Sequence, residues 1–425
     1  MRIAVCNSFA RTLGGIENYL DRLIPELVER GHEIAAVFET DEPRANSQIG
    51  LAAARRWLKN EPRMTQTLDE LLHWGPDIVF TNGVGDPDFE SRVIRTAPAV
   101  HFAHDYSSTC VSGSKTNAFP RMAACSRTFG PKCLLNYFPR RCGGLSPVTL
   151  RRRYRFASKR LQTMREYAHI LVASEAMHVE FLRNDFSRDR IEVLPYPVPS
   201  AESSTNGGAN AVSNHFAAGL AEPSRQPLNL LFGGRMVALK GGDLLIEALP
   251  LAAARLKRSL VLTFAGDGPE RSRWETQARS LCARNSALTV RFVGWLDGHS
   301  MTELINASDL LVIPSLWPEP FGLIGPEAGM SGLPAAAFAT GGITEWLHDG
   351  VNGFLAPADP ATPAGLAKAI IDCLIDPTLY CRLRSNARIE ASKFSIEVHT
   401  SRLVEIFSRV VAEARAPGIE EVRQG

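Results

Sequence analysis

The sequence predicts an α/β protein of two doubly wound domains in series, followed by a helical tail. Three observations carry this expectation. Short apolar runs of strand length alternate with longer segments of helical period, first over residues 2–38 and again from Leu228. Between the two series, residues 200–226 are rich in Ala, Ser, Asn and Gly and hold little that could be buried, as a linker would. The 425 residues, 45% of them hydrophobic, exceed one ordinary domain and suffice for two cores.

The first series opens with Ile3-Ala4-Val5-Cys6, then Gly14-Gly15. Ile16, Tyr19, Leu20, Leu23, Ile24, Leu27 and Val28 follow at helical spacing, closed by Gly31 and His32. Ile34 to Phe38 is the next strand, which completes a βαβ opening. Glycines there let a backbone approach a ligand, and a helix N-terminus suits an anion. The plainer reading is a tight turn. The G-x-G-x-x-G dinucleotide fingerprint is absent. Residues 48–74 read as mixed helix with Leu51, Leu58, Leu68, Leu71, Leu72 and Trp74. Ile78-Val79-Phe80 and Ala99 to Phe102 are strands, and the second ends in His104-Asp105, where open α/β sheets bind ligands. Arg160 to Tyr167 reads as helix, Ile170 to Ala173 as strand, Ser174 as the cap of a helix bearing Met177 and Phe181, and Ile191 to Leu194 as strand.

Cys110, Cys125, Cys133 and Cys142 interrupt this pattern, half of the chain's cysteines within 33 residues. Their spacings lack the close pairs that zinc sites prefer. Three readings stay open: a structural metal site, with zinc as the ion; one or two disulfides; or unbonded cysteines in a loop 105–150 that covers an acceptor site.

In the second series Leu228 to Phe232 is followed by Gly233-Gly234-Arg235 and Lys240-Gly241-Gly242, ahead of a helix with Leu244, Leu245, Ala248 and Leu249 inward. Two cations five apart on a glycine-rich turn suit a diphosphate: Arg235 offers a fork of donors, Lys240 a point charge. A charged surface turn is the plainer reading, and no Walker sequence is present. Leu260 to Ala265 is a strand ending in Gly266-Asp267-Gly268-Pro269, with Pro269 at the first position of a helix. Leu288 to Val293 is a strand, Met301 to Ala307 a helix, and Leu310 to Ile313 a strand leading into the stretch Pro314 to Gly342. There Glu319 and Glu327 flank Phe321-Gly322-Leu323, a turn that opens a helix. Glu327 near that helix start can accept from vicinal hydroxyls, and Glu319 between prolines is rigidly placed. Paired acids invite a hydrolase reading. Both come from one short segment, however, and Asp105 is the one counterpart to be named in the first domain. From Phe394 onward Leu403, Val404, Phe407, Val410 and Val411 return to helical spacing, in a tail (394–420) expected to pack back on the first domain.

A net charge of +2 makes no case for a nucleic-acid partner. Arg151-Arg152-Arg153-Tyr154-Arg155 is locally basic, either a solvated helix start or a patch that meets anionic lipid or an anionic acceptor. Ile3 to Cys6 is too short for the core of a signal peptide, and nothing approaches eighteen apolar residues. A cytoplasmic protein is expected, with contact at the inner face of a membrane left open.

The ordered set Gly14-Gly15, His104-Asp105, Gly233-Gly234-Arg235 with Lys240-Gly241, Gly266-Asp267-Gly268-Pro269, Glu319-x7-Glu327, Gly341-Gly342 and Asn352-Gly353-Phe354 resembles the retaining nucleotide-sugar glycosyltransferases of family 4. The resemblance covers most of the chain. It implies two Rossmann-like domains facing across a cleft (the GT-B fold), with an acceptor-side domain at 1–199 and a donor domain at 227–393. It implies that Arg235 and Lys240 hold the donor's diphosphate, with the backbone at Gly15, Gly234 and Gly268 close by. Glu327 would bind the ribose, Glu319 with Phe321, Gly322 and Leu323 the transferred sugar, and His104 would point at that sugar. His104, Arg235, Lys240 and Glu319 are then the catalytic set. The donor would be a UDP- or GDP-sugar, no catalytic cofactor is implied, and the acceptor would be a glycan, lipid-linked or small-molecule hydroxyl. The cysteine loop after His-Asp resembles one found in a subset of the family. A nucleotide-sugar-binding protein without transfer activity, and a sugar epimerase or phosphorylase on the same fold, are the competing readings.

Overall fold

The computed structural model describes residues 1–10, 14–40, 49, 53, 55–58, 64–198 and 226–416. The linker expected at 200–226 lies, apart from Gln226, outside the described residues, as does Leu51. The chain divides into two compact units: Met1–Lys115, Ser126–Pro197 and the chain from Ile396 onward form one, and Thr116–Cys125 with Val198–Ser395 form the other.

In the first unit the strands are β1 (Arg2–Phe9), β2 (Glu33–Thr40), β3 (Arg55–Leu58), β4 (Ile78–Thr81) and β5 (Ala99–Ala103). In the second, Thr116–Asn117 and Ala123–Ala124 form a small antiparallel pair, β6 and β7. The first unit is completed by β8 (His169–Val172) and β9 (Ile191–Val193). Its seven strands are parallel in the order β3-β2-β1-β4-β5-β8-β9, so the order reverses between β1 and β4. β4, β5 and β8 are buried throughout, which is why they read as unbroken apolar runs. Helices α1 (Gly15–Glu29), α2 (Met64–Trp74), α3 (Pro87–Val93), α4 (Lys132–Tyr137), α5 (Pro147–Met164) and α6 (Glu175–Arg183) belong to this unit. Tyr19, Leu20, Leu23, Ile24 and Leu27 form the buried stripe of α1, as its period predicts.

Two segments of the first unit differ from the sequence expectation. Residues 55–58, read as helix, form a strand beside β2, with Trp57 edge-on to Trp74 at 6.3 Å. An edge strand of Arg-Arg-Trp-Leu carries no apolar run to announce it. The helix read at Arg160–Tyr167 is the end of the 18-residue α5, capped by Ser146 with Pro147 in its first turn. Its inner face holds Leu150, Ala157, Thr163, Met164 and the ion-paired Arg160, so its apolar period is faint.

In the second unit β10 (Leu228–Gly233), β11 (Leu260–Ala265), β12 (Leu288–Gly294), β13 (Leu310–Ile313), β14 (Ala335–Phe338) and β15 (Gly353–Ala356) form a parallel sheet in the order β12-β11-β10-β13-β14-β15. Helices α7 (Gly242–Leu256), α8 (Arg271–Cys282), α9 (Gly298–Asn306), α10 (Ile324–Met330), α11 (Pro363–Leu374) and α12 (Pro377–Ser392) accompany it. Leu245, Leu249, Phe264, Trp274 and Ile370 lie in one buried core. Pro269 stands two residues ahead of α8 rather than at its first position.

The last helix, α13 (Ile396–Arg415), returns to the first unit, as the tail's spacing predicts. Leu403, Ile406 and Phe407 are fully buried, and the Phe407 ring meets Phe80 at 5.2 Å. The Tyr19 hydroxyl and His399 Nε2 lie 2.9 Å apart, and His399 Nδ1 donates to the Pro195 carbonyl at 2.8 Å. The fold is therefore two Rossmann-like parallel sheets, with the terminal helix on the first.

Candidate functional site

Open α/β sheets bind ligands beyond the carboxyl ends of their strands, where the strand order reverses. In the second unit that point lies between β10 and β13. The loops that follow these two strands carry Arg235, Lys240, Glu319 and the turn to α10. The loops are joined by Leu316 N–H donating to the Leu239 carbonyl at 2.8 Å. Gly241, at φ +62°, lies so close to the β13 loop that a Cβ would stand 2.1 Å from the Pro314 carbonyl oxygen.

That approach brings Lys240 Nζ to 2.5 Å from Glu319 Oε1. Ser315 Oγ donates to the same oxygen at 2.5 Å. Glu319 is buried, whereas the Lys240 side chain keeps a quarter of its surface, so the ammonium stands at the rim of the pair. Lys240 Nζ also lies 5.8 Å from the Trp317 ring centroid. The Glu319 backbone is clamped from behind by the Gly342 N–H, 2.6 Å from its carbonyl oxygen. Gly341, at φ +56°, would place a Cβ 2.3 Å from that oxygen.

The remaining predicted groups are arranged around this pair with differing roles. Arg235 is exposed on the β10 loop and takes no part in the ion pair. Gly234, at φ +141°, has open space where a Cβ would be, so a ligand can approach its backbone. Gly268 serves packing: a Cβ there would meet the Met236 carbonyl oxygen at 2.3 Å. Phe321 is buried, and its carbonyl accepts from Trp346 Nε1 at 2.8 Å. Gly322 turns at φ +87°, Leu323 leads into α10, and Glu327 stands half-buried in the first turn of that helix.

In the first unit His104 follows the carboxyl end of β5. Its Nε2 lies 2.9 Å from Asn82 Oδ1, and its Nδ1 is hydrogen-bonded to the Tyr196 hydroxyl. Burial, and next the charge of Arg160, press the His104 pKa down to about 3, so the ring is neutral. Because the Asn82 carbonyl can only accept, Nε2 carries the proton and Nδ1 accepts from Tyr196, whose hydroxyl burial keeps protonated. A cavity of about 240 Å³ lies beside this ring, lined among others by Ile16, Asn82, Asp105, Ser108 and Arg160. Gly15 is the first residue of α1, and Gly14 before it supplies no side-chain cap to the helix amides.

Asn82, Tyr196 and Ser315 were not singled out from the sequence. Asn82 directly follows β4, so the strand-end argument that found His104 would have found it too. Ser315, two residues past β13, carries the same signal, whereas Tyr196 does not.

Among the described residues no three His, Cys, Asp or Glu side chains gather as metal ligands. Cys125 falls in the second unit, and Cys110, Cys133 and Cys142 in the first. Cys133 and Cys142 pack against a small core of Val111, Tyr137 and Leu150. Among the described residues no helix is long and apolar enough to cross a membrane.

Residues 13–202 match the family described as Glycosyltransferase Family 4, and residues 220–390 match Glycosyl transferases group 1. With its two parallel sheets, the chain is a GT-B-fold protein related to these glycosyltransferases. A glycogen synthase of Mycobacterium tuberculosis is 35% identical over 184 residues, 43% of this chain and 42% of that protein. A D-inositol 3-phosphate glycosyltransferase of Nocardioides sp. is 30% identical over 266 residues, 59% of this chain and 56% of that protein. The chain thus spans about half the length of the curated relatives it matches. The crystal structure of Anabaena Alr3699/HepE in complex with UDP has a TM-score of 0.67 at 19% identity, covering 96% of this chain and 100% of that one, a likeness of fold.

Proposed function

We propose that this protein is a glycosyltransferase that moves a sugar from a nucleotide-sugar donor to a hydroxyl acceptor with retention of anomeric configuration. The observation that carries the reading is the Lys240–Glu319 pair, held at the switch point of the second sheet beside Arg235 and the open backbone of Gly234. Relatives described as a glycogen synthase and a D-inositol 3-phosphate glycosyltransferase, and a similar fold solved with UDP, support it.

In this reading residues 227–393 hold the donor and residues 1–199 the acceptor. Arg235 and Lys240 stabilise the charge that builds on the leaving diphosphate, the largest demand of the reaction. Glu327 accepts from the ribose hydroxyls. Glu319 and the amides near Phe321-Gly322-Leu323 hold the transferred sugar. The first-turn amides at Gly15, which Gly14 caps with no side chain, approach the phosphates. His104, held at both ring nitrogens by Asn82 and Tyr196, is a fixed polar group that points at the transferred sugar. The acceptor is a glycan, lipid-linked or small-molecule hydroxyl, and the basic stretch Arg151–Arg155 is a point of peripheral membrane contact. The loop with Cys110 and Cys133 belongs to the acceptor side.

The test is thermal unfolding with UDP-glucose, UDP-N-acetylglucosamine, UDP-galactose, GDP-mannose, UDP and GDP, each with and without EDTA. A ligand that binds the native state raises the melting temperature by linkage. A shift with one base supports the reading and assigns the donor class, and its survival in EDTA supports a diphosphate site made by Arg235 and Lys240. No shift with any of them, and no sugar transfer, would overturn it.

A further inference from the structure

From Ser126 to Arg165 the chain carries eleven Lys and Arg residues and not one Asp or Glu, although the whole protein is nearly neutral at +2. This stretch builds α4, the turn after it and α5, all in the first unit. The three pieces are fastened at one point: the Gly143 carbonyl accepts from the Tyr137 hydroxyl at 2.7 Å and from Arg153 Nη1 at 3.1 Å. Their inner sides meet in the small core of Tyr137 and Leu150, so that core does not call on the leucines of the outer side.

The outer side is unusual for a protein surface facing water. Leu135, Leu145 and Val148 are 76%, 67% and 76% exposed, and Leu134, Phe138 and Phe156 are also exposed. On α5, Val148, Arg151, Arg152, Arg155 and Phe156 follow one another at helical spacing along the outward face. Arg151, Arg152 and Arg155 are exposed, and no described carboxylate pairs with them. Other arginines and lysines of the stretch do have partners: Lys159 pairs with Asp88 and Arg160 with Glu90. The outward face thus interleaves unneutralised cations with large apolar tips.

We propose that this face docks the first unit on the surface of an anionic lipid bilayer. A soluble anionic ligand would account for the cations alone, and a protein partner for the apolar tips alone. A headgroup layer over hydrocarbon accounts for both: arginines meet phosphate while Leu135, Leu145 and Val148 enter the acyl boundary. The docking rests on the proposed transferase reading only for its purpose, which is to bring the acceptor-side unit to a lipid-linked acceptor.

The experiment is co-sedimentation of the full chain, without donor or acceptor, with vesicles of phosphatidylglycerol mixed into phosphatidylcholine and with vesicles of phosphatidylcholine alone. Binding is expected to the mixed vesicles only, and to weaken at high salt as exposed charges are screened. Substituting Arg151→Gln, Arg152→Gln and Arg155→Gln together weakens binding roughly a hundredfold, on the order of fivefold per cation. Substituting Leu135→Ser, Leu145→Ser and Val148→Ser together weakens it as well, with an unchanged melting curve because the sites are exposed. Absence of binding to mixed vesicles at low salt overturns the proposal. So does binding that only the arginine set weakens, which marks adsorption to headgroup charge without entry of the apolar tips. Nucleotide-sugar thermal shifts on both variants report separately on the donor site, so failure of docking and failure of the transferase reading are told apart.

Discussion

Lys240 and Glu319 lie 79 residues apart in the chain and meet at 2.5 Å, the ammonium of the β10 loop against the carboxylate of the β13 loop. Parallel strands separated by crossover helices place these loops side by side, so the contact is a product of sheet order. The pair positions a cation that would otherwise swing on four methylenes, and it leaves that cation partly exposed for a ligand.

Lys240→Ala is expected to lower turnover on the true donor by on the order of 10²–10³, as for a lost donor to a developing anion. Its effect on stability is about 1–3 kcal/mol, since the buried Glu319 carboxylate loses its charged donor. Initial rates and urea denaturation on the same preparation separate the two. Near-normal turnover would remove Lys240 from the site.

Gly341→Ala tests the clamp behind Glu319. At φ +56° and with a Cβ 2.3 Å from the Glu319 carbonyl oxygen, the alanine meets both backbone strain and overlap. A loss of about 2–4 kcal/mol is expected from these two causes. Denaturation at wild-type midpoint would show that the loop yields without cost.

The buried histidines set a pH dependence. Burial lowers His104 to about 3 and His399 to about 4, against an unfolded value near 6.5. Burial holds His101 well below its usual value too. Below pH 6.5 the unfolded chain takes up protons that the native chain refuses. The stability these residues contribute is therefore complete above pH 6.5 and is lost as pH falls toward 4 and then 3. By pH 5 the loss is about 2 kcal/mol for each of His104 and His399. Glu90 and Asp309, raised by burial, act with the opposite sign, so a variant isolates the effect. His399→Gln should flatten the fall of the urea midpoint between pH 7 and 5, and an unchanged slope would contradict the assignment.

Tyr19→Phe removes the hydroxyl 2.9 Å from His399 Nε2 and leaves that nitrogen buried without its donor. A cost of about 1–3 kcal/mol is expected in equilibrium unfolding. Deleting the chain from Ile396 onward goes further, because it uncovers the surfaces that Leu403, Ile406 and Phe407 bury. That truncated protein is expected to lose cooperative unfolding and to aggregate. A soluble, cooperatively folding product would show that α13 is dispensable.

The parallel strands announced themselves as apolar runs because both faces of β4, β5, β8 and β13 are covered. The stripe of α1 and the return of α13 were legible for a related reason: one-sided burial imposes a period of 3.6. Glycines at 241, 322 and 341 stood out because chemistry at those points is local, a positive φ or a backbone contact that no Cβ allows. The edge strand Arg55–Leu58 and the polar helix α5 did not stand out, since neither hides enough apolar surface to leave a pattern.

Residue type and spacing alone thus supplied the two α/β series, the loops that bear the cations, and Glu319 beside its turn. Other properties arose in three dimensions. That Lys240 pairs with Glu319, that Ser315 shares the same oxygen, and that Asn82 and Tyr196 fix the tautomer of a neutral His104 all depend on strand register and on depth of burial. So does the outward turn of Arg151, Arg152 and Arg155 beside Val148. Periodicity reports which side of an element is apolar, whereas the neighbour across a sheet, and the water it displaces, are set by segments far away in the chain.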